Sequence, residues 1–172
     1  MAPSPSLAET ALHLSQALNA RASATEVLQE YCQRLYPGVK IAAVSLPTGQ
    51  LPRPLPQGEF FTLTQGETIR ARHVSLRCGD LALSDAWNWY VPERLTPEMN
   101  RALETTTSPF GHVVAPLHFT RQPLKSEMAN LPPGILLRNR ALLRRARDNL
   151  PFSIVEENYL VSGFSTFWTA KP

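Results

Sequence analysis

Arginine and glutamate are the residue types here whose placement suggests chemistry on a small acid. Arg72 lies in the run TIRARHVSLRCGDLALSDAWNWYVP, residues 68–92, where period-two alternation puts Arg70, Arg72, Val74 and Leu76 on one face. A guanidinium sharing a face with Val74 and Leu76 sits at the edge of an apolar core, where a charge is costly unless something anionic meets it. That anion is either a carboxylate of the protein or one of a ligand, which an arginine grips through two parallel hydrogen bonds. The matching acid comes late in the chain, as Glu156 or Glu157 in PFSIVEENYL. A partly buried glutamate can act as an acid or pair with the arginine when the site is empty. A purely structural salt bridge uses the same residues.

Other chemistries find no support in the residue pattern. No G-x-S-x-G occurs, and Val161-Ser162-Gly163-Phe164-Ser165 has the wrong order for a nucleophile elbow. His13, His73, His112 and His118 are scattered without H-E-x-x-H spacing, so no metal ligand set is predicted. Eight glycines leave no phosphate loop or dinucleotide fingerprint. Cys32 and Cys78 form no C-x-x-C pair and are too few for a disulfide framework, so a reducing compartment is expected. The net charge of +3 is mild and favours small anions over a nucleic acid. Residues 134–147 carry five arginines, read as a solvated face; contact with a polyanion is the alternative. No run reaches membrane-spanning length and the first residues show no secretory leader, which predicts a cytoplasmic protein.

The elements that must position Arg72 and the glutamates follow from periodicity. Residues 68–92 read as two long strands turning at Gly79-Asp80. Trp87 and Trp89, two residues apart on the second strand, either wall a flat pocket or fill a core. Leu7, Ala11, Leu14 and Leu18 make a helical stripe, and Ser23-Ala24-Thr25-Glu26 offers a hydroxyl to cap a second helix carrying Val27, Leu28, Tyr31 and Leu35. Residues 39–46 suit a strand buried on both faces, or a short buried helix segment. The proline-rich 47–57 is a loop and 59–64 a strand. Thr96-Pro97-Glu98 opens a helix running to Thr105. Residues 122–133 read as loop, 134–147 as a helix or as strands turning near Asn139, 151–160 as a strand, and 164–169 as a last aromatic strand. The sum is a single α+β domain over residues 1–172, with a largely antiparallel sheet and helices on one side.

Several of these residues, in this order, resemble the chorismate pyruvate-lyase family: R-x-x-x-L in Arg72 to Leu76, A-x-x-x-x-V-P in Ala86 to Pro92, Ser108-Pro109-Phe110-Gly111, Phe119-Thr120-Arg121, and P-x-x-x-x-E in Pro151 to Glu156. Ser23-Ala24-Thr25 also sits where that family has a Ser-apolar-Thr motif. The resemblance implies an antiparallel sheet with flanking helices around a small ligand pocket. It implies cleavage of chorismate to 4-hydroxybenzoate and pyruvate, the first step of ubiquinone biosynthesis, without metal or organic cofactor. On this reading Arg72 binds the ligand carboxylate, Glu156 is the active-site glutamate, and Ala24, Phe110 and Gly111 line the pocket. The implied partner is a small-molecule carboxylate, with no nucleic acid, and the expected assembly is a monomer or dimer. This chain departs from the family at His73, at Asn88 in place of an arginine, and in the doubled Glu156-Glu157. The alternative is a non-catalytic domain of the same shape that binds a small aromatic or carboxylated ligand.

Overall fold

The computed structural model describes residues 5–47 and 62–165. Two helices open the chain. In α1, Leu7–Asn19, the Ser6 hydroxyl accepts from the Glu9 amide and the Glu9 carboxylate accepts from the Ser6 amide, a reciprocal cap that satisfies two otherwise orphaned donors. In α2, Ala24–Leu35, the Ser23 hydroxyl accepts from the Glu26 amide. Six strands follow: β1 Ile41–Ser45, β2 Arg70–Cys78, β3 Leu81–Tyr90, β4 Thr120–Glu127, β5 Ile135–Arg144 and β6 Pro151–Leu160. Between β3 and β4 lie α3, Pro97–Thr105, capped by Thr96, and the single turn α4, Phe110–Val113.

The strands form one antiparallel sheet in the order β1-β2-β3-β6-β5-β4. The architecture is α+β, a six-stranded antiparallel sheet with flanking helices. Gly79, at φ +59°, takes the left-handed conformation that the tight β2–β3 turn demands.

Helices cover one face of this sheet through two separate apolar clusters. In the first, Leu14, Leu18 and Leu28 of α1 and α2 pack with Val74, Leu137 and Tyr159 of the sheet. Each fully buried leucine contributes about 2 kcal/mol of burial free energy. In the second, Met99 and Leu103 of α3 pack on Tyr90, Leu143 and Val155. The gap between the two clusters is where the pocket forms. On the reverse face Trp87, Trp89, Leu142 and Ile154 make a third cluster, with the His73, Trp87 and Trp89 rings stacked in series. Trp87 and Trp89 therefore stack on each other on the face away from the helices.

Several expectations need correcting. Residues 122–127 belong to the edge strand β4 where a loop was expected. Pro123 and polar residues hide the strand pattern, which an edge strand tolerates because one side of its backbone needs no partner. The arginine-rich segment is one continuous strand, without a turn at Asn139. Arg138 donates to Asn158, Arg140 to Glu156, Arg144 to the Asn149 carbonyl and Arg145 to Asp148, so intramolecular partners engage four of the five guanidiniums. β1 is an edge strand and partly exposed, so it is not buried on both faces. Residues 62–64 are irregular where the end of a strand was expected, and 164–165 are likewise outside any strand. The remainder of those two predicted strands, and positions 48–57 of the proline-rich loop, lie outside the described residues. Cys32 and Cys78 form a disulfide joining α2 to the end of β2 across 46 positions. Their spacing hid the bond because only the packing of α2 on the sheet brings the two Cα atoms to 5.6 Å.

Candidate functional site

Arg72 and Glu157 face one pocket. Its floor is the helix-covered face of β2, β3, β6 and β5, with Val74, Ala86 and Val155 as apolar floor residues. Its walls are the segment Ala22 to Thr25 at the head of α2 on one side and Pro109, Phe110 and Gly111 on the other. The hollow measures about 580 Å³ with its open mouth included. A Cβ on Gly111 would lie 2.8 Å from Thr25 Oγ1, so glycine is what lets α4 approach the head of α2 this closely.

The strand register decides which side chains enter. Arg72 pairs with Asn88, Asn88 with Val155, and Ala86 with Glu157, so these residues all project to the same face. Glu156 pairs with Trp87 and projects to the opposite face, where it is fully buried and accepts from Arg140 Nη2 at 2.6 Å. This corrects the assignment of Glu156 as the active-site carboxylate. Successive residues of a strand point to opposite sides, so moving by one position exchanges pocket for reverse face. Arg72, Ala24, Phe110 and Gly111 all line the pocket.

Three charged side chains line the pocket, and they are differently satisfied. Glu157 is gripped by Arg121, Nη1 to Oε1 at 2.9 Å and Nη2 to Oε2 at 2.7 Å, and Oε2 also accepts from the Tyr159 hydroxyl at 2.8 Å. Burial draws the Arg121 pKa down, but the Glu157 charge and its hydrogen bonds outweigh this and leave it above the usual arginine value. Burial also pushes the Tyr159 hydroxyl well up, and the neighbouring Glu157 charge adds to the rise, so the phenol stays a donor. Three donors converging on Glu157 suit an accepting carboxylate, and Oε1 keeps one acceptor position for a ligand hydroxyl.

Arg72 has no such partner. Among the described residues no carboxylate pairs with it, and burial lowers its pKa. A half-buried guanidinium without a counter-charge in an apolar hollow is a seat for an anion. Ala24 and Thr25, the first two residues of α2, line the same wall, and the Ser23 hydroxyl there accepts from the Glu26 amide. Among the described residues no group of three or more His, Cys, Asp or Glu could hold a metal ion.

Sequence reasoning singled out Arg72 but not the clamp on Glu157. The Phe119-Thr120-Arg121 motif carried a signal for Arg121, and alternation already put Glu157 with Ser153, Val155 and Tyr159. What was missing was the pairing that tells which face of β6 meets which face of β2.

No known family model matches the chain. The curated protein y4mC of Sinorhizobium fredii (strain NBRC 101917 / NGR234), described as uncharacterized, is 38% identical over 177 aligned residues. The match covers 87% of this chain and 74% of that protein. With identity and coverage at this level, the chain belongs to the same family as y4mC.

Proposed function

We propose that the pocket binds a small aromatic carboxylate and that the protein is a cofactor-free lyase, splitting chorismate into 4-hydroxybenzoate and pyruvate. The observation that carries this reading is Arg72, half-buried and without a carboxylate partner among the described residues, across an apolar floor from Glu157. An anionic group on Arg72 and a ring hydroxyl on Glu157 Oε1 would place a flat ring over Val74, Ala86 and Val155. In the reaction the enolpyruvyl ether C–O bond breaks, the ring loses a proton, and the enolpyruvate gains one to become pyruvate. Aromatisation drives the step, so the protein needs to orient the ether and hold the carboxylates. Glu157, clamped by Arg121 and Tyr159, acts here as an orienting acceptor. The expected cytoplasmic location belongs to this reading and the buried disulfide counts against it, because such bonds persist in oxidising compartments.

Incubation of the purified protein with chorismate, with pyruvate read by a coupled assay, tests the lyase reading. Release of pyruvate and 4-hydroxybenzoate in equal amounts is expected. The second reading, a binding domain without turnover, is favoured by the fully engaged Glu157. It predicts a rise in melting temperature with 4-hydroxybenzoate and no pyruvate from chorismate.

A further inference from the structure

Asn88 is 4% exposed, lines the pocket and lies directly across the β2–β3 ladder from Arg72. Its Oδ1 accepts from the hydroxyl of Ser153, which is itself fully buried, while its Nδ2 has no hydrogen-bond partner among the described residues. A buried amide N–H left unmet is costly, so its position beside a guanidinium that also lacks a partner calls for a shared ligand. We infer that Asn88 Nδ2 and Arg72 together grip one carboxylate of the ligand, one oxygen each, and that Asn88 selects carboxylate over carboxamide. This rests on the carboxylate-binding reading above and adds to it the residue that discriminates the acid from its neutral analogue.

The charge balance points the same way. Arg121 is neutralised by Glu157, so among the described residues Arg72 is the one cation lining the pocket without a counter-charge. Two adjacent donors carrying a single positive charge match a planar monoanion with two acceptor oxygens. A carboxamide would turn its NH2 against one of those donors and lose a hydrogen bond while leaving a buried N–H unmet. An aspartate at position 88 inverts this logic. It would pair with Arg72 when the site is empty and repel a carboxylate, yet it would accept from a carboxamide NH2 while Arg72 holds the carbonyl.

Calorimetric titration of the wild type, Asn88→Asp and Asn88→Ala with 4-hydroxybenzoate and 4-hydroxybenzamide tests the assignment. The wild type is expected to prefer the acid by about tenfold or more, as hydrogen bonds to a charged group allow. Asn88→Asp is expected to reverse the preference, which a merely structural asparagine would not do. Asn88→Ala, which adds no charge beside Arg72 and keeps the test open should the aspartate variant fail to fold, is expected to lose about tenfold in affinity for the acid. Folded variants that bind the acid as the wild type does would overturn the role of Asn88 and leave the pocket reading standing. A wild type that binds neither compound would overturn both.

Discussion

Arg72 and Glu157 place opposite demands on stability. Arg72 is partly desolvated and among the described residues lacks a counter-charge, so the folded protein bears a cost that an anionic ligand would relieve. Arg72→Leu should therefore abolish the 4-hydroxybenzoate-induced melting shift while leaving the ligand-free melting temperature unchanged or roughly 2–4 °C higher, measured by calorimetry. A fall in melting temperature together with retained binding would contradict this. Glu157 behaves the other way, because its removal strands Arg121, 11% exposed, without its anion. Glu157→Leu should cost about 3–5 kcal/mol in urea unfolding. Glu157→Gln, which keeps the shape, should reduce ligand affinity, whereas Glu156→Gln, on the reverse face, should leave the pocket's affinity near that of the wild type.

At the scale of elements, the pocket exists because two helical layers approach the sheet separately. The side chain of Gln29 in α2 fixes one of them, donating to the Val39 carbonyl and accepting from the Ile41 amide, which ties the helix to the start of β1. Gly163 fixes the other end of that layer. Its carbonyl accepts from the Tyr31 hydroxyl at 3.0 Å, and a Cβ there would lie 2.7 Å from the Ala82 carbonyl oxygen and 3.0 Å from Leu83 Cα. These are backbone neighbours that cannot rotate away. Gly163→Ala should cost about 1–3 kcal/mol in denaturant unfolding, with a folded remainder that still binds ligand. An unchanged unfolding midpoint would show that the turn following β6 yields without penalty.

For the whole molecule, two linkages shape stability. The Cys32–Cys78 bridge closes a loop of 46 positions, for which the loop-entropy argument gives about 4 kcal/mol relative to the reduced chain. Urea midpoints with and without a reductant strong enough to open the buried bond should differ accordingly, and coincident midpoints would show that the bridge adds nothing. The second linkage is acid. Hydrogen bonds from Arg94 hold the Glu67 carboxyl down to about 2, and those from Arg145 hold Asp148 to about 2. Both pKa values lie below those of the unfolded chain, which therefore binds more protons as the pH falls. Stability from these pairs is complete above about pH 4.5 and is lost on acidification toward pH 2, which melting curves across that interval would register. Charge-neutralising replacement of Arg94 should flatten the lower part of that profile.

Local sequence determined the helices, because caps and apolar stripes act within a few residues: Ser23 at the head of α2, Thr96-Pro97 at the head of α3, and the leucines of α1. It likewise determined the β2–β3 hairpin, through Gly79, and the alternation that sets Arg72 with Val74 and Leu76. It did not determine which glutamate joins Arg72. Glu156 and Glu157 are equivalent to any local pattern, and only the non-local pairing of β3 with β6 sends one into the pocket and the other to the reverse face. The same holds for Arg121 closing on Glu157, for Asn88 falling beside Arg72, and for two cysteines 46 positions apart meeting in the core. Strand alternation is legible along the chain because it is a property of consecutive residues. Register and face belong to pairs of distant segments, and the packing of helices on one side of the sheet settled them.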